Sequence, residues 1–300
     1  MRVAALDLGS NTSLLLIADV EAGRISRIHC DTTRVTRMGQ AVHKDRRFHP
    51  EALERLDACL SEYAKEIRHH SVEKILAVAT SAARDVSNGE ELLKLGRKHG
   101  IPVHIISGDQ EARLTFKGAL CDRSETEGIA VIDVGGGSTE VISSQKGQPG
   151  GTSVDVGSVR LTEMFVSTHP VKSDELRKIS EYAEAAFARA PLPKHEFKEV
   201  VAVAGTPTTL AALDQQTDFD ERQVHGYKLS LKAIDEWTSH LAGLSVSQRE
   251  ALKGMQPKRA DVIVAGSIIL ATALRSLGKD EITVSTRGVR FGAAIAWQEF

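Results

Sequence analysis

The sequence predicts an α/β protein built from two similar domains, and three observations support this prediction. Apolar, β-prone runs alternate with amphipathic stretches along the chain, which is the pattern of a sheet covered by helices. A short segment around Asp7 recurs around Asp133, and similar strands and turns follow both copies. The length of 300 residues corresponds to about two domains of ordinary size.

The repeated segment is an apolar run that ends in Asp-x-Gly and continues into small or hydroxyl residues. It occupies residues 5–12 and again residues 131–138. After each copy comes a second β-prone run, then a turn signal at 21–23 or 146–151, and then a third β-prone run. A hairpin followed by a further strand therefore opens each domain.

Periodicity and helix-breaking residues divide the chain into elements. Helical spacing of apolar residues predicts helices over 50–67, 90–99, 109–120, 173–189, from about 207, 231–244, 261–277 and after Gly292. Compact β-prone runs predict strands over 74–80, 103–107, 200–204 and 281–285. The repeat predicts two domains and a terminal helix, over 1–122, 123–288 and 289–300. Whether the terminal helix packs back on the first domain stays open at this point.

The composition excludes several classes of protein. With 38 Lys and Arg against 40 Asp and Glu, the formal net charge is −2, and 41% of the residues are hydrophobic. Such a chain is neither disordered nor a dedicated nucleic-acid binder. The longest apolar run, residues 262–274, is shorter than a membrane-spanning helix, and the amino terminus does not resemble a signal peptide. Three widely separated cysteines favour reduced, buried thiols in the cytoplasm over a disulfide framework or a zinc site.

The segment 133–140, Asp-Val-Gly-Gly-Gly-Ser-Thr-Glu, is the most informative motif. Three consecutive glycines after a strand allow a tight turn whose backbone N–H groups a phosphate can approach closely. Asp133 and Glu140 supply carboxylate oxygens of the kind that Mg²⁺ prefers. Together with the related turn at 7–12, this motif predicts that a phosphate chain is held from both sides. A glycine-rich hairpin with a solvated acid is the competing interpretation.

Two further turns between a strand and a helix carry charged candidates. Glu111 falls in the first turn of a predicted helix, where an ionised carboxylate is favoured and could accept a proton from an attacking water. Arg84 offers a planar set of donors suited to phosphate oxygens. The alternatives are a glutamate that only interacts with the helix dipole, and a surface arginine paired with Asp85 or Glu90.

The second predicted domain has two more turns of this kind. Ser158 and Arg160 place a hydroxyl and a guanidinium at one strand-to-helix turn. Gly205 and Thr206 end another strand with small residues at the start of a helix, a geometry that suits phosphate binding. Either turn could instead be a simple connection.

In their order along the chain, these motifs resemble those of the exopolyphosphatase/guanosine pentaphosphate phosphohydrolase family. The matching segments cover nearly the whole sequence: 7–11, 79–84, 107–113, 131–140, 157–163, 204–206 and 259–263. Each segment alone is weakly specific, whereas their joint presence in this order is specific.

The resemblance implies two ribonuclease-H-like domains of the sugar-kinase, heat-shock-ATPase and actin superfamily, with the active site in the cleft between them. It implies removal of the terminal phosphate from polyphosphate or guanosine pentaphosphate with Mg²⁺ or Mn²⁺, by a cytoplasmic homodimer without nucleic-acid or membrane partners. The roles implied are a base at Glu111, a phosphate contact at Arg84, and metal ligands at Asp133, Glu140 and Asp7. The expected phosphate-binding residues are Ser10, Asn11, Gly135, Gly136, Gly137, Ser138, Ser158, Arg160, Gly205 and Thr206.

The sequence also departs from the family pattern. Longer members carry an extra helical domain that helps to grip long chains, whereas this sequence ends at Phe300, so we expect a short form. Phe291 stands where we expect an acid. Polyphosphate hydrolysis is the first hypothesis, and hydrolysis of guanosine pentaphosphate is an alternative. Phosphate transfer to a nucleoside diphosphate and a non-catalytic nucleotide- or alarmone-binding module also remain open.

Overall fold

The computed structural model describes residues 1–145, 148–193, 196–256 and 258–300. Contacts within the chain divide it into two units. Unit 1 consists of Met1–Arg123 and Arg287–Phe300, and unit 2 is Ser124–Thr286. The boundaries proposed from the sequence lie after residues 122 and 288.

Unit 1 contains a five-stranded mixed sheet. Its strands are β1 (Arg2–Leu8), β2 (Thr12–Glu21), β3 (Arg24–Val35), β4 (Lys74–Ala79) and β5 (Val103–Ile105). Its helices before residue 124 are α1 (Val42–Asp45), α2 (Pro50–His69), α3 (Ser81–Arg84), α4 (Gly89–Lys98) and α5 (Gly108–Ala119). The strand order is β3-β2-β1-β4-β5. Strand β2 runs antiparallel to both of its neighbours, while β1, β4 and β5 are parallel.

Unit 2 contains a six-stranded mixed sheet. Its strands are β6 (Ile129–Val134), β7 (Thr139–Gln145), β8 (Gln148–Val154), β9 (Glu199–Val203), β10 (Lys228–Ser230) and β11 (Glu281–Val284). Its helices are α6 (Ser158–Phe165), α7 (Ser173–Arg189), α8 (Gly205–Asp214), α9 (Glu221–Val224), α10 (Leu231–Ala242), α11 (Val246–Glu250) and α12 (Ile263–Ser276). The order is β10-β11-β9-β6-β7-β8. Residues 146 and 147 of the predicted turn 146–151 lie outside the described residues.

The two sheets share one plan, with an antiparallel three-stranded meander joined to parallel strands. The order β3-β2-β1-β4-β5 in unit 1 corresponds to β8-β7-β6-β9-β11 in unit 2. The repeated segment also makes the same turn twice. The N–H of Gly9 donates to the carbonyl of Thr12 at 2.9 Å, and that of Gly135 to Ser138 at 3.0 Å. The α/β class with two similar halves is therefore confirmed.

Helices form where apolar spacing predicts them. Helix α2 begins with Pro50 at its first position, where the missing N–H costs nothing, and buries Leu56, Leu60 and Ile67 on the side facing the sheet. Helix α12 is buried along nearly its whole length and lies inside the core of unit 2, which explains why it is apolar on every side.

The chain returns to unit 1 in helix α13 (Val289–Ile295). The helix begins at Val289, the first residue of the terminal helix predicted over 289–300, and Gly292 lies inside it rather than before it. It packs closely against α5. A side chain at Gly292 would overlap the backbone carbonyl of Leu114, and one at Gly118 would overlap that of Gly288. The two helices therefore touch through their backbones, which only glycine permits.

Phe291, the residue found where an acid was expected, belongs to the core of unit 1. It is 1% exposed and packs in the same apolar cluster as Leu114. The guanidinium of the neighbouring Arg290 lies 4.8 Å from the centre of its ring and donates two hydrogen bonds to the carboxylate of Asp31, both of 2.8 Å. An apolar residue therefore fits this position, because the adjacent cation is paired with Asp31.

Among the described residues, no helix is both long and apolar enough to cross a bilayer. The three cysteines are free thiols, of which Cys59 is buried while Cys30 and Cys121 are partly exposed. The expectation of buried thiols therefore holds fully for Cys59 alone. Burial raises the pKa of Cys59 to about 11, so this thiol stays protonated at neutral pH.

Replacement of Gly292 by alanine tests the contact between α5 and α13. The added methyl group meets a backbone carbonyl that cannot rotate away, so we expect Gly292→Ala to lower the free energy of unfolding by about 1–3 kcal/mol. Gly243→Ala is the matched control, because its methyl group would make only an ordinary contact of 3.6 Å. Urea unfolding of the three proteins gives the comparison, and equal midpoints would contradict the proposed contact.

Candidate active-site residues of the two units

In unit 1, the turns that carry candidate residues begin at one edge of the sheet. Strands β1, β4 and β5 are parallel, with Leu8 opposite Ala79 and Ala79 opposite Ile105. Their carboxyl ends therefore coincide, and the loops that follow start side by side. In open α/β sheets, ligands bind at this edge.

The turn after β1 is held by the loop that follows β3. The carbonyl of Ser10 accepts the N–H of Gly39 at 2.7 Å, and that of Asn11 accepts the N–H groups of Thr36 and Arg37 at 3.1 and 2.9 Å. Ser10 and Asn11 are both buried. The side-chain amide nitrogen of Asn11 is buried too, and no described residue provides it with an acceptor. Because such a group is costly to leave unsatisfied, it indicates a position for a ligand oxygen or water.

The two predicted catalytic residues of this unit are in contact. Helix α5 begins with a capping box formed by Ser107 and Gln110, which places Glu111 in the first turn. Nη1 of Arg84, at the end of α3, donates to Oε2 of Glu111 at 2.7 Å and to the carbonyl of Ile106 at 3.0 Å. The side chain of Glu111 is 8% exposed and that of Arg84 is 26% exposed. The structure thus brings together two residues that the sequence analysis treated separately.

This contact argues against the two simpler alternatives, a surface arginine paired with Asp85 or Glu90 and a glutamate that only interacts with the helix dipole. The described partner of Arg84 is Glu111, rather than Asp85 or Glu90. Glu111 is buried instead of lying on a solvated helix end. Neither residue behaves as an ordinary surface group, and their catalytic roles stay predictions.

In unit 2, the glycine-rich turn is held through its carbonyl groups. The carbonyl of Gly135 accepts the N–H of Ser158 at 2.9 Å and its hydroxyl at 3.2 Å. The carbonyl of Gly136 accepts the N–H of Arg160, and the Nε of Arg160 donates to Gly137 at 2.7 Å. Ser158 and Arg160 therefore hold the turn in shape, a function that the sequence did not indicate. Direct phosphate binding by them, by Ser138 or by the glycines stays a prediction.

A pair of carboxylates lies next to this turn. Asp133 of β6 is directly opposite Glu140 of β7, so their side chains lie on the same face of the sheet. Both residues are buried. Oε1 of Glu140 accepts hydrogen bonds from the hydroxyl groups of Ser138 and Ser153, at 2.7 and 2.8 Å. These bonds fix the orientation of one carboxylate beside another.

The donor set of this pair fits a hard cation. Two buried carboxylates side by side repel each other unless positive charge lies near them, and Mg²⁺ is commonly bound by one or two carboxylates together with water and phosphate oxygens. Within the described ranges, no group of three or more His, Cys, Asp or Glu side chains could hold a metal ion. Asp7, the third ligand expected from the sequence, belongs to unit 1, and its role as a ligand stays a prediction.

The start of α8 brings a further cation to predicted phosphate-binding residues. Ala204, just before the helix, has a φ of 74°, a conformation that non-glycine residues rarely adopt. Gly205 follows, and a side chain there would overlap the guanidinium of Arg259. Thr206 is buried against Gly266 of α12. Arg259 therefore lies directly against the first turn of α8.

Arg259 is a candidate that the sequence analysis missed, because it was noted only within a motif. Burial lowers the pKa of its guanidinium to about 10, and the nearby Asp261 opposes this shift. The group therefore stays charged at neutral pH. No local sequence pattern links residue 259 to Gly205. The only signal in the sequence was the glycine itself, because a residue without a side chain leaves room for a close neighbour.

Known proteins resemble this chain over nearly its whole length. The model of the Ppx/GppA phosphatase family matches residues 16–299. The chain is 36% identical to a protein named Exopolyphosphatase 2 of Mycobacterium tuberculosis, over 98% of each sequence. The crystal structure of the Aquifex aeolicus member of the Ppx/GppA family has a TM-score of 0.82 and 31% identity, covering 100% of this chain and 98% of the other. That of an exopolyphosphatase from Cytophaga hutchinsonii has a TM-score of 0.86 and 25% identity, with coverage of 100% and 98%.

The family model spans almost the entire chain. The Mycobacterium protein is more than one third identical to this chain over 98% of both sequences. The protein therefore belongs to the Ppx/GppA phosphatase family.

Proposed function

We propose that this protein is an exopolyphosphatase, which releases the terminal orthophosphate from inorganic polyphosphate by attack of water. The observation that carries the proposal is the partly buried contact between Arg84 and Glu111. It lies at the carboxyl ends of the parallel strands, the edge at which open α/β sheets bind ligands. Membership of a phosphatase family and the relatives named exopolyphosphatase support it.

Glu111 is proposed as the general base. Its carboxylate takes a proton from the water whose oxygen attacks the terminal phosphorus atom. The bond between that phosphorus and the bridging oxygen breaks, and the bridging oxygen leaves with the shortened chain. The hydrogen bond from Arg84 and the capped start of α5 hold the carboxylate in place before the reaction.

Arg84 is proposed to contact the transferred phosphate while it holds Glu111. Among the described residues, both of its contacts use Nη1. Nε and Nη2 remain for phosphate oxygens, whose negative charge spreads over the transferred group during the reaction. The buried amide of Asn11 is a further donor in the same unit.

The carboxylates of Asp133 and Glu140 are proposed to hold Mg²⁺ or Mn²⁺. When bound, such an ion supplies positive charge that neutralises phosphate oxygens. The hydroxyl groups of Ser138 and Ser153 keep Glu140 oriented for this role.

Guanosine pentaphosphate is the second candidate substrate, because the family's name covers both kinds of enzyme and the terminal phosphoanhydride bond is chemically the same. The homodimer and the cytoplasmic location stay predictions.

The proposed function leads to three predictions, and the first concerns the reaction itself. Purified protein with Mg²⁺ is expected to release orthophosphate from short-chain polyphosphate, and EDTA is expected to stop the release because the carboxylate pair loses its cation. A side-by-side assay on guanosine pentaphosphate ranks the two substrates. If neither substrate releases orthophosphate with any divalent metal, the proposed function is wrong, and a non-catalytic nucleotide- or alarmone-binding module becomes the favoured hypothesis.

The second prediction tests the base. Glu111→Gln keeps the shape of the side chain but removes its ability to accept a proton, so kcat is expected to fall by roughly 10²–10⁴-fold. Glu90→Gln, in the exposed first turn of α4, is the matched control. Steady-state phosphate release measures both, and near-normal turnover by Glu111→Gln would remove this residue from the role.

The third prediction tests the arginine. Loss of a charged hydrogen-bond donor to phosphate costs about 1.5–3 kcal/mol, so Arg84→Ala is expected to lower kcat/KM by about ten- to a hundredfold. The exposed Arg97, changed to alanine, serves as the control. If kcat and KM of Arg84→Ala both equal those of the unaltered protein, Arg84 has no part in substrate binding.

A further inference from the structure

A basic segment connects two of the candidate turns of unit 1. We call residues 36–47 the basic strap. It contains Arg37, Lys44, Arg46 and Arg47 against a single acid, Asp45, in a chain whose overall net charge is −2. Neither the proposed base nor the proposed metal site uses these charges.

The first end of the strap is joined to the turn after β1, through the hydrogen bonds to Ser10 and Asn11 described above. Arg55 of α2 fastens this end further. Its Nε donates to the carbonyl of Thr36 at 2.8 Å, and its Nη2 donates to the side chain of Gln40 at 2.9 Å.

The second end is joined to the loop that follows Arg84. The carbonyl of Arg46 accepts the N–H of Ser87 at 2.8 Å and its hydroxyl at 3.2 Å. Just beyond the strap, the N–H of Phe48 donates to the side chain of Asn88 at 2.8 Å. The strap therefore extends from the turn that contains Asn11 to the loop beside Arg84.

The backbone of the strap is held in an unfavourable conformation. Arg37, Ala41 and Arg46 have φ angles of 49°, 54° and 50°, which makes them three of the eight non-glycine residues with positive φ in the described part of the chain. Such conformations persist only where the surroundings determine them, and they cluster at sites that clamp ligands. The strap is thus a fixed feature rather than a loose loop.

Three of its cations face solvent. Lys44, Arg46 and Arg47 are exposed. Arg46 approaches Asp85 only to 3.8 Å, and its side chain is 62% exposed. An exposed ion pair of this length is weak, so the charge of Arg46 still attracts an anion.

From this arrangement, we infer that the basic strap binds the distal phosphates of a polyphosphate chain whose terminal phosphate reacts at Arg84 and Glu111. The inference rests on the proposed function and adds a preference for long chains. Polyphosphate carries closely spaced negative charges along its length, so several neighbouring cations attract it more strongly than they attract a short anion. Tripolyphosphate has few phosphates beyond the reacting one and gains correspondingly less.

A variant that combines Lys44→Gln, Arg46→Gln and Arg47→Gln tests the strap. We expect the KM for long-chain polyphosphate to rise by about tenfold, equivalent to about 1.4 kcal/mol, and that for tripolyphosphate to rise by less than about threefold. The dependence of the long-chain KM on salt concentration is expected to become less steep, because fewer counterions are exchanged on binding. The matched control combines Arg177→Gln, Lys178→Gln and Lys232→Gln, three exposed cations on α7 and α10.

The results of this experiment distinguish a failure of the strap inference from a failure of the proposed function. A rise in KM confined to long chains and absent from the control variant supports the strap. If the KM rises equally for long and short substrates, or does not change, the inference about the strap is wrong. The proposed function still stands in that case, provided that the unaltered protein releases orthophosphate. If the unaltered protein releases no orthophosphate from either chain length, the proposed function fails, and the strap inference fails with it. Matching thermal unfolding of the variant and the unaltered protein confirms that the substitutions leave the fold intact.

Discussion

The arrangement of candidate residues in each unit depends on one constraint, the parallel alignment of strands whose carboxyl ends meet at a single sheet edge. Arg84 and Glu111 are 27 positions apart in the sequence, and they touch because α3 and α5 follow the neighbouring strands β4 and β5. Unit 2 obeys the same constraint with β6, β9 and β11. The glycine-rich turn and the start of α8 therefore follow strands that are adjacent in the sheet.

The two copies of the repeated turn share the same backbone hydrogen bond but carry different side chains. The residue opposite Asp7 is Leu14, whereas the residue opposite Asp133 is Glu140. The first copy therefore presents one carboxylate and the buried amide of Asn11, while the second presents two carboxylates side by side. The duplicated turn thus carries a buried amide in one unit and a pair of carboxylates in the other.

The helix that carries the proposed base is itself fixed by the end of the chain. Helix α13 touches the backbone of α5 at Gly118 and Gly292, and Lys117 forms an ion pair with Glu299. Close packing of this kind leaves little freedom for α5 to shift, because backbone atoms cannot adopt another rotamer. The C-terminal segment therefore helps to hold Glu111 in position, although it lies far from Glu111 in the sequence.

The sequence by itself determined the α/β class, the internal repeat and the approximate extent of most helices and strands, because periodicity and turn residues act locally. It also indicated the loops for which phosphate binding is predicted. Only the tertiary structure decided which side chains meet. The contact of Arg84 with Glu111, the fastening of the glycine-rich turn by Arg160, and the position of Arg259 against Gly205 each join segments far apart in the chain. Such contacts depend on strand order and helix packing, which no local pattern of residues encodes.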